Sequence, residues 1–105
     1  MKVEIDSPEK LGMLIRASRK ALGMRQDDAA GSIGVSENFL GKVERGGETV
    51  QWGKLFQVLT ELGLTVEVEV PESFATETAA QFQDIQLKRS QGAASEHDAS
   101  KHEVK

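Results

Sequence analysis

The sequence predicts an all-α bundle of four to five helices, followed by one β-strand that pairs across a dimer and by a flexible tail. Four segments within residues 8–62 place apolar residues at helical spacing, and short glycine-containing loops separate them. A single stretch, residues 65–70, alternates apolar and polar residues with the period of a strand. With 105 residues, the chain has room for one small domain, placed at 1–70, before an acidic tail at 71–105.

The first helix has a strong start signal. Ser7 can accept hydrogen bonds from free N–H groups, Pro8 suits the first helical position, and Glu9 is favourable near the positive end of the helix dipole. Gly23 is the expected end. The spacing predicts an amphipathic helix whose inward face carries Leu11, Leu14, Ile15 and Leu22.

Two short helices follow, separated by a tight turn. The second is predicted from about Gln26 to Ile33, and the third is capped by Ser36 and runs to about Glu44. Gly34 permits the turn, because glycine adopts positive φ at little cost. A short helix held in this way can enter the major groove of DNA. The residues predicted to face the core are Ala29, Ala30, Ile33, Val35, Leu40 and Val43.

A fourth helix is predicted after a glycine-rich loop. Thr49 is its expected cap, and Gly63 is its expected end. The helix has a broad apolar stripe, formed by Trp52, Leu55, Phe56, Leu59 and Leu62.

The strand predicted at 65–70 has no obvious partner in the chain. A lone strand leaves its backbone groups unpaired, which is costly when one of its faces is apolar. Pairing with the same strand of a second copy solves this problem, so we expect a homodimer. The alternative is pairing within the chain with Val3 and Ile5. The residues assigned to dimerisation are Val66, Val68 and Val70.

The tail from residue 71 is rich in Ala, Ser, Thr, Gln and charged residues, and its last 16 residues cannot bury a core. Between the predicted strand and these last 16 residues, Ala79, Phe82 and Ile85 recur at roughly helical spacing, so this segment could fold on a partner. The only histidines, His97 and His102, lie in the tail, and we interpret them as solvated residues rather than metal ligands.

The composition limits the classes of function that the chain can have. There is no cysteine, no signal-peptide run and no membrane span, so we expect a soluble cytoplasmic protein without disulfides. The net charge of −4 comes from residues 65–105, since residues 1–64 carry nine basic and nine acidic residues. No catalytic constellation or phosphate-binding loop is present. The sequence therefore predicts a binding protein that needs no metal or cofactor, rather than an enzyme.

Ten residues within 11–64 recur at a characteristic spacing: Arg19, Gly23, Gln26, Ala30, Gly34, Val35, Ser36, Leu40, Glu44 and Gly46. This spacing resembles the Xre family of lambda-repressor-like helix-turn-helix proteins. The apolar helix end at 55–64, the strand directly after it and the tail are most similar to HipB-type antitoxins within that family.

The resemblance implies roles for individual residues. Arg19 and Glu44 form a structural ion pair that braces the first helix against the third. Asn38 can bond adenine in a bidentate way, and Glu37 can accept a hydrogen bond from the cytosine amino group. Phe39 can contact a thymine methyl group. The phosphate contacts are assigned to Arg25, Gln26, Ser36, Lys42 and Arg45, with Arg16 as a further candidate.

Two departures from the family pattern leave the operator sequence open. Glu37 would repel phosphate, and Gly41 stands where a serine is common. The resemblance nevertheless implies a homodimer that binds a palindromic operator in double-stranded DNA and represses its own operon. It also implies that the protein binds and neutralises a HipA-like kinase toxin. The alternatives are a stand-alone repressor of the same fold and a protein-interaction module that does not bind DNA.

Overall fold

The computed structural model describes residues 1–95, with side chains described to residue 92. It divides into two units, residues 1–66 and the residues from Glu67 onward. The five α-helices of the described part are α1 (Pro8–Ala21), α2 (Gln26–Ile33), α3 (Glu37–Glu44), α4 (Trp52–Glu61) and α5 (Ala75–Ser95), and a 3₁₀ turn (Glu72–Phe74) precedes α5.

The first helix begins at the local signals that the sequence carries. The Ser7 hydroxyl accepts a hydrogen bond from the Lys10 N–H at 3.1 Å, and Pro8 occupies the first helical position, as predicted. The fourth helix differs, because Gln51 rather than Thr49 is its N-cap residue and makes no capping hydrogen bond. The Thr49 hydroxyl instead lies 3.5 Å from the Lys42 Nζ.

The core of the first unit lies between α1, α2, α3 and α4. The predicted inward residues of α2 and α3 are buried, with Val35 half-buried. Three apolar residues predicted to face inward are exposed instead: Leu22, Trp52 and Phe56. Leu22 is the C-cap residue that follows α1. The fourth helix packs against the core through a narrower apolar stripe than predicted. The buried core residues are Ile15, Ala29, Ala30, Ile33, Leu40, Val43, Val58 and Leu59.

A glycine in α1 allows two helices to approach closely. A Cβ atom built at Gly12 would overlap the backbone carbonyl oxygen of Val43 and lie 2.7 Å from that of Glu44. Only a residue without a side chain fits this contact, so the C-terminal end of α3 packs directly against the α1 backbone. Glycine in a helix interior is otherwise unfavourable, which makes this close approach the reason for its presence.

The predicted strand is absent from the described chain. Residues 64–71 have no regular secondary structure, and neither do residues 1–6, which contain the alternative partners Val3 and Ile5. A strand requires a hydrogen-bonded neighbour, and no described segment forms a β-ladder with this one. The valines assigned to dimerisation are exposed: Val66 (50%), Val68 (81%) and Val70 (38%).

The tail also differs from its prediction, since Glu72–Phe74 and Ala75–Ser95 are helical rather than a flexible segment from residue 71 onward. The low apolar content suggested disorder, but Ala, Gln, Leu and Lys are strong helix formers. Asp84 and Lys88 add an ion pair at 3.2 Å with i, i+4 spacing. The predictions for His97 and His102 lie outside the described residues.

Candidate nucleic-acid interface

The turn between α2 and α3 positions the candidate interface. Gly34 has a φ of +94°, and the Ala30 carbonyl accepts hydrogen bonds from the N–H groups of Gly34 (2.9 Å) and Val35 (3.0 Å). The Ser36 hydroxyl then accepts from the Phe39 N–H at 3.0 Å and caps α3. From α4, the Gln57 Nε2 donates to the Ile33 carbonyl at 2.7 Å. These bonds fix the angle at which α3 leaves the turn.

The third helix has one buried face and one exposed polar face. Leu40, Gly41, Val43 and Glu44 are buried, with Leu40 fully so. A helix anchored by this face presents the opposite side chains to solvent, where they can reach a groove. Within the described residues, the side chains of Glu37 and Asn38 have no hydrogen-bond partner. The predicted DNA-contacting residues that are exposed on or beside α3 are Ser36, Glu37, Asn38, Lys42 and Arg45.

Phe39 differs from the other residues predicted to contact DNA. Its ring is half-buried and packs against the core, and the Lys54 Nζ of α4 lies 5.9 Å from the ring centroid. A cation at this distance is attracted to the ring face. Phe39 therefore has a packing role at the start of α3, and its contact with a thymine methyl group stays a prediction.

Arg19 and Glu44 form the bracing pair that the resemblance implied. The Arg19 Nε donates to Glu44 Oε2 at 2.6 Å, and its Nη2 donates to Oε1 at 2.9 Å. The Arg19 Nη1 also donates to the Met24 carbonyl at 2.9 Å. Both side chains are buried. This two-point geometry joins the end of α1 to the end of α3 and leaves neither charge without a partner.

The network shifts the pKa of both groups. The hydrogen bond to Glu44 raises the pKa of Arg19, against the opposing effect of burial and with the help of the carboxylate charge. Burial alone would raise the pKa of Glu44. The hydrogen bonds from Arg19 and Gln26 and the charges of Arg19 and Arg16 outweigh it, so the pKa of Glu44 is lowered. The pair is charged at neutral pH.

Gln26 connects the buried pair to the surface. Its Nε2 donates to Glu44 Oε1 at 3.0 Å, which fixes the orientation of the amide. Because an amide nitrogen carries two N–H groups, the second remains able to donate to a phosphate oxygen. The sequence offered no signal for the bond between Gln26 and Glu44.

A shallow hollow opens above this network. It is lined by side chains from α1, α2 and the end of α3, together with the backbone of Gly41. A Cβ at Gly41 would lie 3.1 Å from the Arg45 Nη1 and 3.6 Å from the Gln26 Oε1. The absence of a side chain at Gly41 therefore leaves open the space that borders the Arg45 guanidinium and the Gln26 amide. The lining residues are Arg16, Arg19, Gln26, Gly41, Glu44 and Arg45.

Two of the predicted phosphate contacts have partners of their own. Arg25 is the N-cap residue of α2 without a capping bond, and its Nη2 pairs with Asp27 Oδ2 at 2.9 Å on the surface. The Lys42 Nζ lies 3.5 Å from the Thr49 Oγ1, also on the surface. These contacts are exposed, so a phosphate could compete for both cations.

Sequence reasoning missed three residues that position the interface: Gly12, Lys54 and Gln57. Gly12 carried a usable signal, because a glycine inside a strongly amphipathic helix suggests close packing. Lys54 and Gln57 contact residues that are distant in the sequence, and no local pattern indicates such contacts. No group of side chains in residues 1–95 has the arrangement of a metal site, and no helix in this range is long and apolar enough to span a membrane.

Comparison with known proteins places these features in context. The sequence pattern described as "Helix-turn-helix domain" matches residues 10–72. The uncharacterized HTH-type transcriptional regulator y4mF of Sinorhizobium fredii is 39% identical over 71 residues, which are 68% of this chain and 93% of that protein. The HTH-type transcriptional regulator SlrR of Bacillus subtilis is 38% identical over 68 residues, 65% of this chain and 43% of that protein.

Solved structures show the same fold. The structure of the HipA-HipB-O2-O3 complex matches with a TM-score of 0.61 at 21% identity, over 68% of this chain and all of the matched chain. The HipB-O4 20mer complex matches with the same score, identity and coverage. The restriction-modification controller protein C.AhdI of Aeromonas hydrophila matches with a TM-score of 0.50 at 29% identity, over 55% of this chain and 84% of that one.

Proposed function

The chain belongs to the helix-turn-helix family of DNA-binding transcriptional regulators, and we propose that it is a homodimeric repressor of its own operon and the antitoxin of a HipA-like kinase. The family consists of binding proteins rather than enzymes. One observation carries the DNA-binding role: α3 is anchored by a buried face and exposes Ser36, Glu37, Asn38 and Lys42 on the other.

In the proposed complex, α3 enters the major groove and the residues around it bind the backbone. Asn38 reads a base edge, because its exposed amide can bond adenine in a bidentate way. The hollow beside Gly41 receives a phosphate, held by Arg45 and by the free N–H of Gln26. Phosphate contacts position the helix and base contacts select the sequence. In a two-fold dimer, the two α3 helices would read half-sites about one helical turn, or a multiple of one, apart.

The antitoxin role is supported by the likeness in fold to HipB, one structure of which is a complex named HipA-HipB-O2-O3. A surface that could meet a kinase partner is present on α5, where Phe82 (61%) and Ile85 (47%) are exposed. Apolar residues exposed on one helix are common at protein interfaces.

A second candidate, a stand-alone repressor without a toxin, is favoured by the relatives in S. fredii and B. subtilis, both of which bear the name of HTH-type transcriptional regulators. The two candidates share the DNA interface and differ only in the partner.

A gel shift with the DNA upstream of the protein's own gene tests the shared part. A shift that weakens as salt increases supports DNA binding, whereas no shift at low salt leaves only a protein-interaction role. Co-expression with a neighbouring kinase gene, followed by purification, separates the two candidates. If a kinase co-purifies, deletion of residues 72–105 shows whether α5 is needed for neutralisation, and unchanged neutralisation would exclude Phe82 and Ile85 as the contact.

A further inference from the structure

An aromatic pair lies exposed at the start of α4. Trp52 is 74% exposed and Phe56 is 44% exposed, and their rings stack with centroids 6.0 Å apart. Both were predicted to belong to the core, yet Val58 and Leu59 fill that role. Large aromatic side chains contribute strongly to interfaces when they are buried, and Trp is enriched among the residues that dominate binding. Within residues 1–92, whose side chains the structure describes, these two rings stay largely uncovered.

The residues next to the rings on α4 have small side chains or none, and the space around them is open. Trp52, Phe56 and Thr60 follow one another at i, i+4 and i+8, so they form a ridge along α4. Gly53 lies beside this ridge, and a Cβ built there meets no atom within 4 Å. A helix with a glycine at this place allows another backbone to come close to it.

The charge pattern indicates what covers this face. A contact across a two-fold axis brings the same surface of both subunits together, so a charge on it would meet a like charge. At about 100° per residue, the charged residues of α4, Lys54 and Glu61, lie away from the ridge. Lys54 is also directed to the Phe39 ring. The four residues of the face, Trp52, Gly53, Phe56 and Thr60, are all uncharged.

We infer that this α4 face, Trp52, Gly53, Phe56 and Thr60, is the centre of a two-fold contact with a second copy of the chain. The inference rests on the proposed homodimer and assigns it a surface. The exposed parts of the two rings amount to roughly 250 Å² per copy, from the size of aromatic side chains. A stable interface needs about 800 Å² per partner, so the rings supply the apolar centre and the surrounding surface supplies the rim.

Gly53→Glu tests the inference with little risk to the fold. The new side chain enters open space in the single chain, but it would place a charge in the proposed contact of both copies. Gly31→Glu is the matched control, because Gly31 also lies in a helix with no atom within 4 Å of its Cβ. In sedimentation equilibrium we expect Gly53→Glu to weaken dimerisation at least tenfold and Gly31→Glu to leave it unchanged. Equal dimerisation of the two variants would overturn the inference.

Trp52 provides a second measurement on the unaltered protein, since it is the only tryptophan in the chain. Dilution of a dimer joined through this face should shift its emission to longer wavelength and increase its quenching by iodide. A protein that stays monomeric, or a dimer whose tryptophan remains fully quenchable, contradicts the assignment. A shift that occurs only when a kinase is added would assign the face to that partner instead.

These experiments distinguish failure of the inferred dimer surface from failure of the proposed function. If Gly53→Glu dimerises normally and still binds operator DNA, only the assigned surface is wrong. If Val68→Glu abolishes the dimer while Gly53→Glu does not, the dimer is joined through residues 65–70 instead. If the unaltered dimer forms through α4 and binds no DNA, the inferred surface stands and the repressor role fails.

Discussion

The Arg19 guanidinium holds the Glu44 carboxylate at two points, 2.6 and 2.9 Å, and so joins the C-terminal end of α1 to that of α3. Gln26 binds the same carboxylate from the start of α2. The three helices that carry the candidate interface therefore meet at one buried group. The pair is a structural brace, so we expect it to affect DNA binding only indirectly.

Glu44→Ala should destabilise the protein strongly. The change leaves the Arg19 charge buried without its partner, and breaking a buried pair in this way costs about 3–5 kcal/mol. Urea denaturation followed by circular dichroism measures the free energy of unfolding. Asp84→Ala is the control, because it removes an exposed pair with Lys88, for which about 0.5 kcal/mol or less is expected. A loss at Glu44 no larger than the loss at Asp84 would contradict the bracing role.

The same pair predicts how stability depends on pH. The pKa of Glu44 is lower in the folded protein than in the unfolded chain, so the unfolded state binds the proton more readily. The stabilisation is therefore fully present above the ordinary glutamate pKa of about 4.3 and is lost as pH falls through the lowered folded value. Unfolding curves measured at a series of pH values below 5 test this. Glu44→Gln, which cannot titrate, should show a smaller loss of stability over that range.

Local signals explain why the helices beside the site could be predicted closely. Ser36 caps α3 and Gly34 has the positive φ of the turn, and both effects depend only on neighbouring residues. The exposure of Trp52 could not be predicted in this way. Its spacing fits an apolar stripe, but whether a residue of the stripe is covered depends on where the neighbouring helices pack. The segment from residue 75 was predicted to fold only on a partner, because its apolar content is low, whereas the high helix propensity of its residues favours the helix that the single chain forms.

The candidate site, like the fold, could be predicted from the sequence only in part. The pattern and the resemblance together predicted the exposed residues of α3 and the pairing of Arg19 with Glu44. They could not predict that Phe39 packs on the core or that Gln26 binds Glu44, because these contacts depend on how separate helices meet. Residues 65–70 have the alternation of a strand, but no strand forms there, because the described segments offer no hydrogen-bonded neighbour.

Gly12→Ala should destabilise the protein by about 1–3 kcal/mol, because the added methyl group overlaps the carbonyl oxygens at the end of α3. Thermal unfolding measures the effect. Gly31→Ala is the matched control in a helix with open space around it, where alanine should stabilise the helix by up to about 1 kcal/mol. Effects of the same sign at both positions would show that helix propensity, rather than close packing, explains Gly12.

Arg45→Ala should weaken binding to every DNA sequence by a similar factor. The residue is assigned to a phosphate in the hollow beside Gly41, and loss of one phosphate contact lowers the slope of log affinity against log salt by about 0.9. Fluorescence anisotropy with operator and unrelated DNA at several salt concentrations measures both quantities. Lys88→Ala removes one positive charge from α5 and should leave the slope unchanged. A slope that is also unchanged in Arg45→Ala would remove this residue from the interface.

Asn38→Ala should instead change the choice of sequence. Asn38 is exposed on α3, and loss of a bidentate contact with a base costs about 1–3 kcal/mol at one base pair while phosphate contacts persist. Selection of random DNA fragments by the purified protein, followed by sequencing, gives the preference at each position. The variant should accept all four bases at one position of each half-site and keep the salt dependence of the unaltered protein. An intact preference at every position would mean that another residue of α3 reads the base.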